Sequence, residues 1–594
     1  MTSLKRELIQ IVEMDIERCS LTYASAPCTA VLGTTGVRKC YNCFANCQDT
    51  DNFTTSTETL RFAMNNGGLP RDERIYPCMS SPVSTNPSII NLSGVGKNTG
   101  PLGKRARVTV RLQDFQDSDI WFDRYQSERV DGTAQTDEGG YNPGKRGTFF
   151  AKLRRRFPYY VGRSLRVLEG EVGQALSAMR TRNYVISGWK GPDAEGKVEI
   201  VAKDILDLAD NDKALAPATS SGKLATDIAS ASLESFDLEP AGVGSDYPSS
   251  GRAVIGSEVV SYTRSTDTIT LTGRSLDGTD DSAHSSGDLF QEAFRAENRT
   301  IAQVVRDLLR DYADIPSAFI PFSDWQDEAE RWLAGFDLTA TITKPTGVTD
   351  LVGEISQLGV MFWWDDVNQE IKMRANRPLD VGEVAPSLSD SKTFIEKTIK
   401  NKDLHDERLS RVLFWHGQLD ASNSVNDGNN FKRVAIPIDA DSEGVDQYNQ
   451  TQVREIFCRW LGDGNDSVAN AVSARLLNRY RNTPQQVTFS YDAKDDASVV
   501  LASPIEVTSR VLQDDTGNSL PTQMQVTSVE EVGPGDRFTA IAQSYQFDGR
   551  YGFITENSRP DYAASTDEQK EKGTYIVDEG TLVFGDGTGP YLMF

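Results

Sequence analysis

The chain has 594 residues, enough for several domains, and its 38% hydrophobic and 25% charged residues are typical of a globular protein. Its net charge of −24 argues against a general binder of duplex DNA, because affinity for phosphate needs clustered lysine and arginine. No run of eighteen apolar residues occurs, so the sequence predicts no membrane-spanning helix.

The segment near the N-terminus is rich in cysteine. Five of the seven cysteines lie close together there, at Cys19, Cys28, Cys40, Cys43 and Cys47. Thiolate is a soft metal ligand, so this grouping predicts a metal or a disulfide site. The first residues of the chain are charged and lack the apolar core of a signal peptide, which makes the disulfide interpretation the weaker one.

The spacing of these cysteines leaves the kind of site open. Only Cys40 and Cys43 form a C-x2-C pair, whereas a zinc ribbon has two such pairs, and neither common ferredoxin spacing is present. All three histidines lie much later in the chain. Four thiolates without imidazole suit a [4Fe–4S] cluster and a structural zinc equally well. Thiols that bind no metal are the third interpretation.

The residues around the cysteines carry a resemblance to a known family. In chain order they are Asp15 with Cys19, residues 26–30 (APCTA), Thr35 with Gly36, residues 40–42 (CYN), residues 47–49 (CQD), and Asn52 with Phe53. This order resembles the N-terminal segment of tail hub proteins, also called tail tip or baseplate hub proteins, of non-contractile long-tailed bacteriophages. The resemblance implies a 4Fe–4S cluster, with zinc as the alternative, bound by Cys19, Cys28, Cys40 and Cys47. Cys43 then stands where the family has a residue that binds no metal, and Cys78 lies outside the motif.

The resemblance also implies a structural role. A tail hub is a homotrimer at the tail tip of the virion, assembled in the bacterial host cytoplasm, which closes the distal end of the tail tube and opens for DNA passage. The implied partners are a distal tail protein, a tape measure protein and tail fibre or receptor-binding proteins. Genomic DNA would pass through the lumen without specific binding, and the host cell envelope would be contacted indirectly.

Past the cysteines, residues 52–101 are rich in Asn, Pro, Ser and Gly and predict an extended connection. Alternation of polar and apolar residues predicts strands at 107–112, 182–189 and 196–202. Residues 146–160 form the most basic stretch and contain several aromatic side chains. A surface between subunits is the favoured interpretation of this stretch, ahead of a site for single-stranded nucleic acid.

Residues 211–251 have few apolar side chains and indicate a domain boundary or a long insertion. Residues 253–274 predict a hairpin with its turn near Thr266. The following residues, 272–288, resemble a small β module that is common in phage structural proteins. His284 has no nucleophile or acidic partner at a recognisable spacing, so we interpret it as a residue of a surface turn.

Two helices follow. Thr300 and Gln303 predict a capping box at the start of the first helix, and Asp350 is predicted to cap a second helix that ends at Gly359. Residues 360–374 predict a hairpin, whose two adjacent tryptophans we interpret as core or subunit-interface residues rather than as a ligand platform.

From residue 393 the strand pattern returns, interrupted by a helix at residues 468–481 that Asp466 and Ser467 are predicted to cap. Residues 575–594 are predicted to dock onto a neighbouring chain. The sequence has no Walker A word, no H-E-x-x-H and no G-x-S-x-G, so we do not expect an enzyme. The alternatives to a tail hub are a soluble iron–sulfur redox protein and a host receptor-binding tail protein.

The expected fold class is therefore α+β and mainly β, with two tail-tube-like β-barrels, α/β insertion domains and a loop-rich N-terminal cysteine segment. The expected regions are residues 1–80 for the cysteine-rich segment, 81–215 for the first β-barrel hub domain, 216–392 for an insertion region with the small β module and a helix–hairpin domain, 393–554 for the second β-barrel hub domain with its helix, and 555–594 for a C-terminal extension.

Overall fold

The computed structural model describes residues 7–30, 40–65, 68–92, 102–117, 147–380, 383–439, 442–492, 499–533 and 537–545. Strands account for 41% of the structure and helices for 16%, so the predicted fold class, α+β and mainly β, is confirmed. Within these ranges no helix combines the length and the apolar character needed to cross a bilayer. The predicted C-terminal extension lies outside the described residues.

The first eight strands form one sheet, and seven of them close into a β-barrel. They are β1 (Leu8–Cys19), β2 (Thr55–Met64), β3 (Ile75–Met79), β4 (Ser84–Asn86), β5 (Arg107–Gln113), β6 (Ser164–Glu171), β7 (Arg180–Lys190) and β8 (Lys197–Lys203). Their order is β3-β2-β1-β6-β7-β8-β5-β4, and a further pairing of β3 with β5 closes a ring of seven strands. The strands predicted from alternation are confirmed, since β5 buries Val108, Val110 and Leu112 while its polar residues alternate with them.

The prediction of an extended connection over residues 52–101 is wrong for β2, β3 and β4. The first half of β2 is polar and alternates between exposed and half-buried residues, and only its second half buries apolar side chains such as Leu60 and Phe62. The apolar alternation was therefore too short to recognise in the sequence. Because β1 and β2 both belong to the barrel, the cysteine loops are inserted between two barrel strands, and the expected boundary at residue 80 falls inside the sheet.

Helix α1 (Phe149–Arg156) connects β5 to β6 and packs on the barrel core. Phe149, Phe150 and Leu153 are buried in that core, whereas Arg154 and Arg155 are exposed. The amide of Phe150 donates to the carboxylate of Asp114 at 2.8 Å, at the end of the helix where free amides and the dipole favour an anion. The helix formed by the basic stretch thus buries one face in the barrel core.

A seven-stranded sheet follows the barrel. Its strands are β10 (Lys223–Leu224), β11 (Ser235–Glu239), β12 (Ser250–Ile255), β13 (Glu258–Ser265), β14 (Thr268–Leu276), β15 (Phe290–Thr300) and β16 (Asp337–Ile342), and β9 (Leu215–Ala216) pairs separately with β17 (Thr346–Gly347). The predicted hairpin is confirmed as β13 and β14, with Thr266 at a φ of 55° in the turn. Residues 211–251, whose composition indicated a domain boundary or a long insertion, contribute β9, β10, β11 and part of β12 to these sheets.

The helical part contains α2 (Ile301–Asp307), α3 (Phe322–Trp332) and α4 (Val348–Ser356), with the hairpin β18 (Val360–Asp365) and β19 (Glu370–Ala375). The capping box of Thr300 and Gln303 is confirmed. The prediction that Asp350 caps α4 is wrong, because Gly347 occupies the N-cap and Asp350 lies inside the first turn. Gly359 ends this segment at a φ of +86°, as predicted.

The remaining strands form two sheets. A six-stranded half-barrel has the order β20-β26-β27-β28-β25-β21, from strands β20 (Ser387–Ser389), β21 (Lys400–Asp403), β25 (Gln485–Asp492), β26 (Pro504–Thr508), β27 (Thr522–Gly533) and β28 (Arg537–Ser544). A three-stranded sheet has the order β23-β22-β24, from strands β22 (Arg411–Gln418), β23 (Phe431–Ala435) and β24 (Val453–Cys458). The half-barrel has its own core, centred on Phe489, Tyr491 and Phe538.

Helix α5 (Asp466–Tyr480) lies between β24 and β25 in sequence. Its N-cap is Asn465, one residue before the predicted cap pair, and no side chain closes it. Leu476 of α5 and Phe414 of β22 share a core with Val305 of α2. The helix predicted to belong to the second β-barrel therefore packs with the helical part.

Further short elements connect these units. They are the 3-10 turns Phe44–Asn46, Leu176–Ala178, Ile205–Leu208, Val243–Asp246, Ser317–Phe319, His405–Glu407 and Gly428–Asn430, and the π-helix Leu308–Tyr312 that continues α2. Short 3-10 turns are common in connectors. The turn Phe44–Asn46 matters most for function, because it lies inside the cysteine loops.

Candidate metal centre

The structure brings the predicted ligands Cys19, Cys28, Cys40 and Cys47 to one place. Together with Cys43 they line a single small cavity of about 20 Å³. Cys19 is the last residue of β1, and the other four come from the loop between β1 and β2. None of the seven cysteines forms a disulfide. Barrel strand and loop therefore each contribute to the thiol cavity.

Backbone and side-chain hydrogen bonds fold the loop back onto the strand. The amide of Cys19 donates to the carbonyl of Asn42 at 2.8 Å. The buried side-chain amide of Asn42 reaches the carbonyls of Leu21 at 3.4 Å and Cys19 at 3.5 Å. Asn42 adopts a φ of 57°, a left-handed conformation that asparagine accepts more readily than most residues. Asn42 thereby holds the residues that follow Cys40 against the end of β1.

The carboxylate of Asp49 joins two further parts of the loop. It accepts from the amide of Thr29 at 2.8 Å and from the side-chain amide of Asn52 at 3.0 Å. The hydrogen bond from the Thr29 amide is the main cause that lowers the pKa of Asp49. Thr29 follows Cys28, and Asp49 lies two residues after Cys47, so this contact sets the two cysteine segments side by side.

Backbone amides point at two of the sulfur atoms. The amide of Asn42 donates to Cys40 Sγ at 3.4 Å, and the amide of Asp49 donates to Cys47 Sγ at 3.4 Å. Such hydrogen bonds favour the thiolate form, and hydrogen bonds to cluster sulfurs tune iron–sulfur sites. They are therefore suited to a metal-binding thiolate.

The thiols are close enough for the charge of one to affect the pKa of another. Burial is the main cause that raises the pKa of Cys47, and the neighbouring Cys40, Cys19 and Cys28 raise it further. A thiolate among thiolates is unfavourable unless a cation balances the charge. The three thiols that act on Cys47 in the fold are the other three ligands that the motif implies.

The remaining cysteines differ from this group. Cys43 is completely buried and donates to Asn46 Oδ1 at 3.3 Å, within the short turn that follows it. Cys78 and Cys458 pack in two hydrophobic cores, where burial raises the pKa of each thiol to about 12. Neither lines the thiol cavity. Cys43 lines the cavity, which makes it the nearest substitute for one of the four predicted ligands.

The donor set fits a metal group, although the side chains are not yet arranged around one. In the described part of the chain, no three cysteine, histidine or carboxylate side chains are placed to hold a metal ion. The cavity has room for about one water-sized group. Binding of a single ion or of a cluster therefore requires the thiols to turn toward a common centre.

Aromatic contacts, which sequence reasoning missed, attach the cysteine loop to the barrel. Phe44 packs edge-on against Phe53 at 5.3 Å and against Tyr159 at 6.4 Å between ring centroids. The guanidinium of Arg156 lies 4.0 Å from the ring centroid of Tyr41. Tyr41 and Phe44 each directly follow a cysteine in the sequence, and this spacing was the available signal. They fix the loop beside the end of α1.

Asp15, the first residue of the motif, does not reach the thiols. It lies within β1, where its carboxylate forms a two-pronged ion pair with Arg166 of β6 at 2.6 and 2.8 Å. Glu13 pairs with the same guanidinium at 2.8 Å. Burial alone would lower the pKa of Arg166, but the two carboxylates together outweigh it and raise that pKa above its ordinary value. Asp15 of the motif therefore links β1 to β6 within the barrel.

Comparisons with known proteins give a likeness in fold only. No family model matches the chain, and no curated protein matches it. A tail protein from Neisseria meningitidis MC58 is 10% identical and covers 78% of this chain and 91% of its own, with a TM-score of 0.36. The 43 kDa tail protein of prophage MuSo2 from Shewanella oneidensis is 10% identical and covers 77% and 92%, with a TM-score of 0.32.

A chain in the virion of a native gene transfer agent particle is 11% identical and covers 55% of this chain and 84% of its own, with a TM-score of 0.28. These three solved structures are tail and virion proteins by name. At these identities and TM-scores, the likeness carries no argument about what this chain binds or does.

Proposed function

We propose that this chain is a structural protein of a phage tail, the tail hub that closes the distal end of the tail tube and opens for DNA passage. The observation that carries the proposal is that the four thiols named by the hub-like motif line one cavity. The mainly β fold with a closed first barrel is the architecture that the same resemblance implies. Motif and fold therefore agree on one class of protein.

In this proposal the four thiols hold a structural metal group, a 4Fe–4S cluster or zinc. Residues 20–30 and 40–54 of the loop between β1 and β2, the part that the structure describes, bury few apolar side chains and form no core of their own. A bound structural metal supplies folding free energy directly, about 10–16 kcal/mol for zinc in small peptides. Asn42 and Asp49 would set the cysteine segments in position, and the metal would complete the ordering of the loop.

A metal analysis tests the site. Replacing Cys40 by serine removes one of the proposed ligands, and we expect purified Cys40→Ser protein to lose at least about tenfold in metal affinity. Iron with bound sulfide and a broad visible absorption would identify a cluster, and zinc without colour would identify the alternative. The matched control is Cys458→Ser, which changes a cysteine in a different core and should keep the metal.

Equal metal content in wild type and Cys40→Ser would contradict the assignment of Cys40. In that case Cys43→Ser shows whether the nearby Cys43 takes its place. Absence of iron and zinc from wild-type protein purified without oxygen would overturn the metal site as a whole.

The proposal includes the assembly implied by the family resemblance: a homotrimer at the tail tip of the virion, in contact with a distal tail protein, a tape measure protein and tail fibre or receptor-binding proteins. The soluble redox protein is the first rival, and it requires electron transfer to a partner. Reduction of a bound cluster by a small-molecule donor, with turnover of a substrate, would favour that rival. Direct binding of intact protein to host cells would favour the receptor-binding alternative.

A further inference from the structure

A cleft of about 740 Å³ is lined by residues of the half-barrel and of the three-stranded sheet. On the half-barrel, Lys402 of β21, Gln486 of β25 and Gln543 of β28 stand in one row across the strands. Arg454 of β24 and Tyr480 of α5 also line it. We call this space the arginine cleft. Its volume lies in the range of ligand-binding pockets and far exceeds that of a single ion.

Two arginines of the arginine cleft have buried nitrogen atoms without an acceptor. Arg408 is 3% exposed, and its guanidinium lies 4.3 Å from the ring centroid of Tyr448. Its Nη2 donates to the carbonyl of Gln450 at 2.6 Å, but its Nη1 donates to no described residue. Nη1 of Arg454 is buried and lacks an acceptor in the same way. Both arginines therefore keep an unused donor.

Neighbouring arginines show that acidic partners are available in this part of the fold. Arg459, which follows β24, forms a two-pronged ion pair with Glu354 at 2.7 and 2.8 Å. Arg411 of β22 donates through Nε to Glu443 at 2.7 Å. Within the described ranges of the chain, no such ion pair is formed by Arg408 or Arg454. The missing countercharge is thus specific to the arginines of the cleft.

The hydroxyl of Tyr480 is a third unused donor. Tyr480 is 1% exposed, and its hydroxyl is buried without a hydrogen-bond partner among the described residues. The guanidinium of Arg454 lies 5.6 Å from the centroid of its ring. The amide of Leu409 donates to the carbonyl of Tyr480 at 2.8 Å, which holds the neighbour of Arg408 at the same helix end. Because buried polar atoms are ordinarily hydrogen-bonded, three unused donors on one cleft indicate a ligand.

The acids of the arginine cleft do not balance its arginines. Three of them are exposed to solvent: Asp403, Asp406 and Glu455. The fourth, Glu407, is half-buried and accepts from the side-chain amide of Gln543 at 2.7 Å. The charge of Glu407 acts on Arg454, although the described structure has no ion pair between them. Arg408 and Arg454 against Glu407 leave one positive charge over.

The electrostatics of Arg454 agree with this geometry. Burial is the main cause that lowers the pKa of Arg454, and the nearby Tyr480 and Glu407 act in the opposite direction without outweighing it. A guanidinium nevertheless keeps its proton near neutral pH. The cleft therefore holds a charge that is partly withdrawn from water, which is costly until an anion pairs with it.

The chemistry of the cleft favours a carboxylate over a phosphate. A carboxylate carries one negative charge, which matches the single charge left over, whereas a phosphate group carries roughly −1.5 to −2 at pH 7. The guanidinium fork also fits the two oxygens of a carboxylate. Ile89, Ile90 and Val453 add apolar surface to the cleft, and Gln486 adds an amide. An acidic residue between apolar residues in a polypeptide combines these features.

We propose that the arginine cleft binds a polypeptide segment of a partner, and that the carboxylate of an acidic side chain in this segment pairs with the unused donors of Arg408 and Arg454. Apolar side chains next to that acid contact Ile89 and Val453. The inference stands apart from the proposed tail function and does not require the metal site.

Calorimetric titration of the full chain with two peptides tests the proposal. The probes are acetyl-Leu-Glu-Leu-amide and acetyl-Leu-Gln-Leu-amide, which differ only in the charge of the central residue. We expect wild type to bind the glutamate peptide at least about tenfold more tightly, because hydrogen bonds between charged groups are the strong ones. In Arg454→Gln this preference should fall below about threefold. The control Lys190→Gln changes a lysine that is 75% exposed and should keep the preference.

Equal affinity of wild type for the two peptides would overturn the proposal, and so would an undiminished preference in Arg454→Gln. Competition with small anions gives a further check. Acetate should displace the glutamate peptide more effectively than inorganic phosphate at the same concentration and ionic strength. Stronger displacement by phosphate would assign the cleft to a phosphate-bearing ligand instead.

Thermal unfolding without any peptide gives a readout that does not depend on the sequence of the probe. Arg454→Gln has no ion pair to lose, so we expect it to melt within about 1 °C of wild type. The matched variant Arg459→Gln breaks the ion pair with Glu354 and should melt several degrees lower. An equal loss in both variants would mean that the charge of Arg454 is already balanced within the chain, and would overturn the proposal.

Discussion

Glu258 shows how a single residue can organise a loop that the sequence leaves undefined. Its buried carboxylate accepts from Arg274 Nη2 at 2.7 Å and Nε at 2.9 Å, and it lies 2.8 Å from His284 Nε2. Backbone amides of Ser275 and Ser282 complete its partners. The interpretation of His284 as a surface-turn residue is therefore wrong, because the side chain is buried against an acid 26 residues away, beyond any local motif.

Neutralising Glu258 should destabilise the small β module. Glu258→Gln would remove the more deeply buried of the two carboxylates that pair with Arg274 and leave only Asp281, and we expect a loss of up to about 3–5 kcal/mol in the free energy of unfolding. Chemical unfolding followed by tryptophan fluorescence measures this loss. The control Glu297→Gln changes a glutamate that is 67% exposed and should shift the free energy by less than about 0.5 kcal/mol.

The pH dependence of Glu258 follows from the pKa of its carboxyl group. Burial acts to raise the pKa of Glu258, but hydrogen bonds from Arg274, His284 and the two backbone amides outweigh it and lower the pKa below 4.5. Its contribution is present above pH 4.5 and is lost as the pH falls through the lowered value. Equal acid sensitivity of wild type and Glu258→Gln would contradict this account.

At the scale of elements, the N-termini of α2 and α5 distinguish a helix cap that the local sequence predicts correctly from one that it does not. Thr300 and Gln303 form the reciprocal hydrogen bonds of a capping box, as their spacing predicts. At α5, Ser467 has the right residue type for a cap, but it lies exposed inside the helix and Asn465 occupies the N-cap. Two similar sequence signals thus have different structural outcomes.

Alanine substitutions distinguish these two helix starts. Thr300→Ala should cost about 1 kcal/mol, because an N-terminal amide of α2 loses its acceptor. Ser467→Ala should change the free energy of unfolding by no more than about 0.5 kcal/mol, since alanine is a good helix former. Thermal unfolding of both variants measures the difference. An equal loss in both would mean that Ser467 is a cap in solution.

The elements that the sequence predicts well are those with long apolar periodicity. The strand at Val108, Val110 and Leu112 and the hairpin around Thr266 follow from pattern alone. Closure of the barrel through Met79 and Leu112 cannot be read from a pattern, because it depends on a single pairing between strands that are not consecutive.

The thiol group was found because cysteine type and spacing are distinctive, whereas its supporting Asn42 and Asp49 have ordinary side chains that acquire their roles only in the fold.

At the scale of the whole molecule, the closed barrel and the half-barrel differ in the edges of their sheets. Pairing of β3 with β5 closes the first, whereas among the described residues the half-barrel ends at β20 and β21. All four residues of β21 are exposed, and two of them are lysines, a composition that discourages indiscriminate edge pairing. An edge that is open and charged is compatible with pairing to a specific neighbour.

We expect a homotrimer in solution. A ring of identical chains repeats one interface until it closes on itself, and such an interface would cover the open edge of each half-barrel. Size-exclusion chromatography with light scattering should give the mass of three chains, unchanged on dilution. A mass of one chain over a wide range of concentrations would contradict the ring.

Cys19 has two roles in the structure, as the last residue of β1 and as part of the wall of the thiol cavity. β1 is hydrogen-bonded to β2 on one side and to β6 on the other along most of its length. A force applied to the cysteine loop along β1 would therefore load both rows of hydrogen bonds in shear, so that many bonds resist together. Traction on the cysteine loop should pass into the barrel wall before the loop itself detaches.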